Sequence, residues 1–270
     1  KISLFFIFFL SLIVSFYFGE DSSGGGKHDF LEVGKFIDAF QQDFFFGIEF
    51  FSNPHALHLP TFYILIGNLS NIFGDNLVRY LYLIISSLIP LVFYSALKKR
   101  FSKTDNEYLF LLSLLIFLSP YFRSSAVWLT TDNLALLFFL LSINSFLKIE
   151  NSKNKVFLNA ILCFSFLVLA SYIRQYYALF FIFYFFKIQS KLKFIENLYI
   201  ILFNLVCSIP VVIYLFFVFK SGYTSDAFNK DLRFEIDFIF NILIFTSLFL
   251  FYFSPFLLSK YGLKKLAELI

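Results

Sequence analysis

The stretch LYIILFNLVCSIPVVIYLFFVF, residues 198–219, runs for 22 residues without one charged side chain. A transmembrane α-helix needs about 20 consecutive apolar residues, so this segment is long enough to cross a bilayer. It is not a barrel strand, because its apolar residues are continuous rather than alternating. Working outward, the same texture recurs in Ile2–Phe18 and in residues 77–97, 108–122, 131–147, 156–171, 176–186 and 238–258. The 270 residues are 59% hydrophobic and only 15% charged, and they include 46 Phe and 16 Tyr. A soluble domain of this length has too little interior to hide so much apolar side chain. The expectation is an all-α polytopic transmembrane bundle of about eight spans, solvated by membrane lipids and forming one domain over residues 1–270.

The net charge of +4 is scattered over helix ends, which gives no footprint for nucleic acid. Cys163 and Cys207 both lie inside apolar runs, which argues against a disulfide framework or a redox pair. The chain opens on Lys1 and contains no Met, which reads as a fragment of a longer protein. Ile2–Phe18 has the length of a signal peptide, but no small-residue cleavage site follows it; an uncleaved first membrane helix is the better reading.

Between this first run and residue 77 lies a polar loop, residues 19–76, opening with the flexible Ser22-Ser23-Gly24-Gly25-Gly26. Within it Phe30, Val33, Ile37 and Phe40 recur at helical spacing opposite Glu32, Lys35 and Asp38, predicting an amphipathic helix along a membrane surface. Thr61–Phe73 is apolar but too short to span comfortably. If it stays on the outer surface, 14 of the 22 basic residues fall into cytoplasmic connections, as the positive-inside rule prefers. Both ends are then cytoplasmic. The opposite face collects His28, His55 and His58, the loop acids from Glu20 to Glu49, Arg123, Trp128, Asp132, Arg174 and Gln175. Ionisable groups at membrane depth are costly, which makes each a candidate for function.

Several strings on that face resemble the core of GT-C type membrane glycosyltransferases, the protein mannosyltransferase and aminoarabinose transferase class. The first is His58-Leu59-Pro60-Thr61-Phe62-Tyr63-Ile64-Leu65, followed by Ile72-Phe73-Gly74-Asp75, Arg79 and Lys98-Lys99-Arg100-Phe101. Leu118-Ser119-Pro120 and Thr131-Asp132-Asn133-Leu134-Ala135-Leu136-Leu137 add to it, and Ile173-Arg174-Gln175 is similar to the Arg-Gln of a class of membrane glucosyltransferases. The resemblance covers roughly residues 1–190; it departs from the pattern in Leu59-Pro60, where Pro-Pro is usual, and in the glycine-rich insertion before Asp29.

The resemblance implies a polyprenyl- or dolichyl-phosphate sugar donor, a lipid or glycan acceptor, an extracytoplasmic active face and an essential carboxylate in the first outer loop. Asp29 is the best match for that carboxylate, with Glu20 and Asp21 as rivals. A positioned carboxylate takes the proton of an acceptor hydroxyl as C1 is attacked. A guanidinium suits the departing phosphate; Arg174 is the first choice and Arg123 the second, with His58, Asp132 and Gln175 beside them in the substrate site. A divalent cation is a further way to hold the phosphate, with no metal ligands assigned. A bacterial inner membrane with a periplasmic active face is the expected location.

Blander roles compete. Asp132 after Thr130-Thr131 is placed to cap a helix N-terminus, Arg174 to snorkel at an interface, and Trp128 to belong to an aromatic belt. The alternative function is a transporter or metal-ion permease that captures its ion with the three histidines, Asp29, Glu32 and Asp43. A non-catalytic assembly or lipid-handling subunit is the third.

Overall fold

The computed structural model describes residues 2–51, 59–151 and 155–220, all within the compact unit Lys1–Ser221. Among these residues the chain is helical, with turns between helices and no strand. Helix α1 (Ile2–Phe18) stops at Gly19, whose φ of 60° is the left-handed conformation that glycine adopts most cheaply. The Gly19 N–H bonds to the Phe16 carbonyl (3.2 Å) and the Glu20 N–H to that of Ser15 (2.9 Å), the paired closure of a Schellman motif. Helix α2 (Gly26–Gln42) is the amphipathic helix read from the sequence: Val33, Ile37 and Phe40 are buried, while Glu32, Lys35 and Asp38 face outward. Helices α3 (Phe44–Phe51) and α4 (Thr61–Phe73) pack on α2. At Gly67 of α4 a Cβ would stand 3.2 Å from both the Ile37 carbonyl and the Phe40 Cβ, so the missing side chain lets the two helices approach closely.

Helices α5 (Asp75–Ser87) and α6 (Ile89–Arg100) form one apolar stretch interrupted at Leu88. Pro90 offers no N–H to the Ser86 carbonyl and its ring crowds that turn, so the chain tightens there. Helix α7 (Asn106–Leu114) runs into a 3-10 turn (Leu115–Leu118) before α8 (Pro120–Trp128) restarts at an angle of 62°. Ser119 caps α8, accepting the Phe122 N–H at 3.5 Å, and Pro120 occupies the first helical position, where no donor is missed. Helices α9 (Thr131–Asn151) and α10 (Val156–Ile173) form the most extensive pair. Ala160, Cys163, Leu167 and Ala170 are fully buried along one stripe of α10, and their small members suit close packing in lipid. A 3-10 turn (Gln175–Leu179) precedes the nine-residue α11 (Phe180–Ile188); α12 (Phe194–Lys220) follows.

Four stretches are long and apolar enough to cross a membrane: Asp75–Arg100, Thr131–Asn151, Val156–Ile173 and Phe194–Tyr214. The bent α7–α8 pair makes a fifth if taken as one span. The expected count of about eight therefore falls to four or five among the described residues. The run 108–122 is broken by Ser119-Pro120, and 176–186 is divided between a 3-10 turn and a helix too short to span. Ile2–Phe18 is helical throughout but only 17 residues long. Residues 238–258 lie outside the described residues.

Two apolar cores meet along α5, α6 and α9. One joins α2, α3, α4, α5, α6, α9, α10, α11 and α12 around Phe51, Phe62 and Phe164; the other joins α1, α5, α6, α7, α8 and α9 around Phe117. Asn133 at the start of α9 ties the second together, donating to the Ser86 Oγ (3.2 Å) and the Phe122 carbonyl (3.0 Å). Away from water such a polar side chain is tolerated only when its bonds are made.

Candidate functional site

The residues singled out from the sequence separate into three environments. In the first, the Schellman turn presents Glu20 to Arg123 of α8. Arg123 donates from Nε to Oε1 (2.8 Å) and from Nη2 to Oε2 (2.6 Å), a bidentate fork. Its remaining donors reach the Ser11 Oγ (3.0 Å), the Phe117 carbonyl (3.3 Å) and the Ser15 Oγ. The Trp128 indole N–H adds a bond to the Glu20 carbonyl (2.9 Å). Beside this guanidinium the Glu20 carboxyl is lowered from 4.5 to about 2, although burial opposes the change. So acidic a carboxyl is a poor proton acceptor near neutral pH, and a guanidinium with its donors in use has little to offer a phosphate.

In the second environment, Asp21 accepts the Gly26 N–H (2.8 Å) and the Lys27 N–H (3.1 Å) at the start of α2, and the Ser124 hydroxyl (3.2 Å). Partial burial raises the Asp21 carboxyl, but these donors outweigh it and the net shift is downward. A carboxylate here meets the orphan donors and the positive end of the helix dipole. The glycine-rich insertion shapes this turn. Gly24 takes a φ of 77°, and a Cβ on Gly26 would stand 3.0 Å from the Ser124 Cβ and 3.1 Å from the Trp128 Cδ1. The bare Gly26 lets α2 sit close against α8, while Gly24 serves the turn through its backbone conformation.

The third environment surrounds Tyr63 of α4, which is 5% exposed. Burial pushes its phenol up, and its hydroxyl lies within electrostatic reach of Arg174, Asp132 and Asp29. Asp132 is the second residue of α9, inside the first turn rather than at the cap, and it accepts an Arg174 Nη2 hydrogen bond of 2.9 Å. The Asp132 side chain is 49% exposed and that of Arg174 22%. Arg174 closes α10, its N–H bonded to the Ala170 carbonyl (2.8 Å), in an extended conformation that turns the chain toward Gln175. Asp29 sits in the first turn of α2, exposed, and its carboxylate has no hydrogen bond or ion pair among the described residues.

Next to this cluster an apolar cavity of about 690 Å³ opens between α10, α11 and α12. Phe164, Val168, Phe181, Phe185 and Leu205 line it, with Gln175 on its wall. Asp132 and Arg174 are thus paired, with Asp29 in electrostatic reach of the same Tyr63 and Gln175 on the adjoining groove, while Glu20, Asp21 and Arg123 lie in the other two environments. His55 and His58 lie outside the described residues. Among the described residues no three His, Cys, Asp or Glu side chains are grouped to hold a metal ion.

Sequence reasoning did not single out Tyr63, which lies within the Pro60-Thr61-Phe62-Tyr63 string and in electrostatic reach of these charges. It also missed the acid–guanidinium pairs, because their partners are 42 and 103 residues apart. No protein-family model, curated protein or solved structure matches the chain.

Proposed function

We propose that the chain is a membrane glycosyltransferase that moves a sugar from a polyprenyl- or dolichyl-phosphate donor to a lipid or glycan hydroxyl on the extracytoplasmic face, in a bacterial inner membrane. One observation carries the reading: an exposed carboxylate (Asp29) and an acid–guanidinium pair (Asp132–Arg174) share the surroundings of Tyr63, beside an apolar groove. A long isoprenoid tail with a charged phosphate at its head needs that pairing of apolar groove and cation.

In the proposed reaction Asp29 takes the acceptor hydroxyl proton as its oxygen attacks C1 from the face opposite the phosphate. The C1–O bond to the phosphate breaks, and polyprenyl phosphate leaves with the electron pair. Arg174 meets the charge that grows on that leaving oxygen, and Asp132 fixes the direction of its fork. The outcome is inversion at C1. Of the three candidate carboxylates, Glu20, Asp21 and Asp29, the last suits the role best because Glu20 and Asp21 already serve as acceptors for Arg123 and for α2.

For the transporter reading, His28, Asp29, Glu32 and Asp43 form no metal-sized group among the described residues, and His55 and His58 lie outside them. The test is transfer of radiolabelled sugar from polyprenyl-phosphate mannose, glucose and aminoarabinose to endogenous acceptors in membranes carrying the chain. Loss with Asp29→Asn and retention with Asp21→Asn would support the assignment. Full activity in Asp29→Asn would sink it.

A further inference from the structure

Arg79 of α5 differs from the other two interior arginines. Arg123 is saturated by Glu20, and Arg174 is held by Asp132. Arg79 has no carboxylate partner among the described residues, and its one hydrogen bond is a long one, 3.4 Å from Nη2 to the Val127 carbonyl. Its Nε is buried without an acceptor. Aromatic faces brace it instead: its Cζ is 5.1 Å from the ring centres of Phe16 and Phe30 and 6.0 Å from that of Trp128. Rings over a guanidinium stabilise its charge while leaving the in-plane N–H groups available.

In front of it is a cavity of about 280 Å³ between α2, α4 and α5, lined by Lys35, Asp38, Ser70, Asp75 and Arg79 and closed by Leu129. This is the size of a headgroup rather than of a large cofactor. Of its acids, Asp75 accepts a Gln41 amide bond of 2.7 Å and Asp38 is exposed; Lys35 bonds Glu32 at 2.6 Å. The cavity therefore offers a fixed cation to an anionic group, and an acidic side to an amine or hydroxyl.

We propose that this cavity is a binding site for a small phosphate ester bearing an amine or hydroxyl, with the phosphate on the Arg79 fork and the polar substituent toward Asp38 and Asp75. The site shares no residue with the Tyr63 cluster and does not rest on the transferase reading. A soluble phosphate ester and a phospholipid headgroup present the same chemistry.

Trp128, the single tryptophan of the chain, stands beside Arg79 and reports on it. The full chain in uncharged maltoside detergent is titrated with phosphoethanolamine, and separately with micelles doped with phosphatidylethanolamine. Trp128 emission is recorded, with calorimetry as a readout independent of the ring. The expected result is saturable binding in at least one arm, weakened about tenfold or more by Arg79→Gln. Arg79→Lys, which keeps the charge but loses the fork, weakens it less. Binding of the soluble ester marks a free metabolite site, and binding of the doped micelles alone marks a lipid headgroup. If Arg79→Gln does not fold, Ser70→Ala and Arg79→Lys carry the test, and each must weaken binding. No saturable binding in either arm, or equal binding by the folded variants, overturns the proposal.

Discussion

Glu20→Gln separates a structural acid from a catalytic one. The Glu20 carboxyl falls from 4.5 to about 2 beside Arg123, which at ~1.4 kcal/mol per tenfold change corresponds to roughly 3 kcal/mol of folded-state preference for the charged form. The side chain is 31% exposed, so solvent screening reduces this to about 1–2 kcal/mol. The substitution also strands Arg123, only 14% exposed, without its countercharge, which adds to the loss. The expected cost is about 2 kcal/mol, with transfer per folded molecule unchanged. Because the folded carboxyl is lowered, its stabilisation is complete above the unfolded value near 4.5 and is lost as pH falls toward about 2. Thermal unfolding in detergent, followed by Trp128 emission from pH 7 to pH 3, reads both effects. The parent loses stability below pH 4.5 more steeply than Glu20→Gln does. A variant as stable as the parent that has lost sugar transfer would refute the reasoning and return Glu20 to the catalytic role.

Three further expectations follow from the same geometry. Gly26→Ala drives a methyl against Ser124 and Trp128 and should lower stability by about 1–3 kcal/mol, read from the melting temperature. Arg174→Lys keeps the charge but not the fork, so kcat/KM for the polyprenyl-phosphate donor should fall about 10- to 100-fold, with the thermal midpoint held within a few degrees. Val168→Trp fills the groove between α10 and α12; KM for a long-chain donor should rise while that for a short isoprenoid analogue changes little, and equal effects on both would remove the groove from the tail-binding role.

Much of the helical layout was legible in the sequence. Periodicity located α2 through Val33, Ile37 and Phe40, and apolar runs gave α1 and α4 their observed limits. What hydropathy does not register is interruption. A window over residues 108–122 averages across Ser119-Pro120, yet that pair stops one helix and starts another at 62°. Residues 176–186 are equally apolar, but the extended Arg174 and the 3-10 turn after it leave too few residues for a span. At the site, Arg123 and Arg174 read alike as membrane-edge arginines; only the fold reveals that Glu20 is folded back onto the former. The glycine-rich insertion reads as a flexible linker, whereas the missing side chain of its last residue, Gly26, serves the contact of α2 with α8. Nothing in the sequence singles out Tyr63, since the three charged residues in its electrostatic reach come from distant stretches of the chain.

The most direct test of the central claim is sugar transfer by the purified, reconstituted chain compared with its Asp29→Asn variant, using polyprenyl-phosphate sugars as donors. The account predicts measurable transfer by the parent, a loss of about 10²- to 10⁴-fold in the variant and matching melting curves for the two. Transfer by Asp29→Asn within twofold of the parent, or no transfer by the parent from any of these donors, would contradict it.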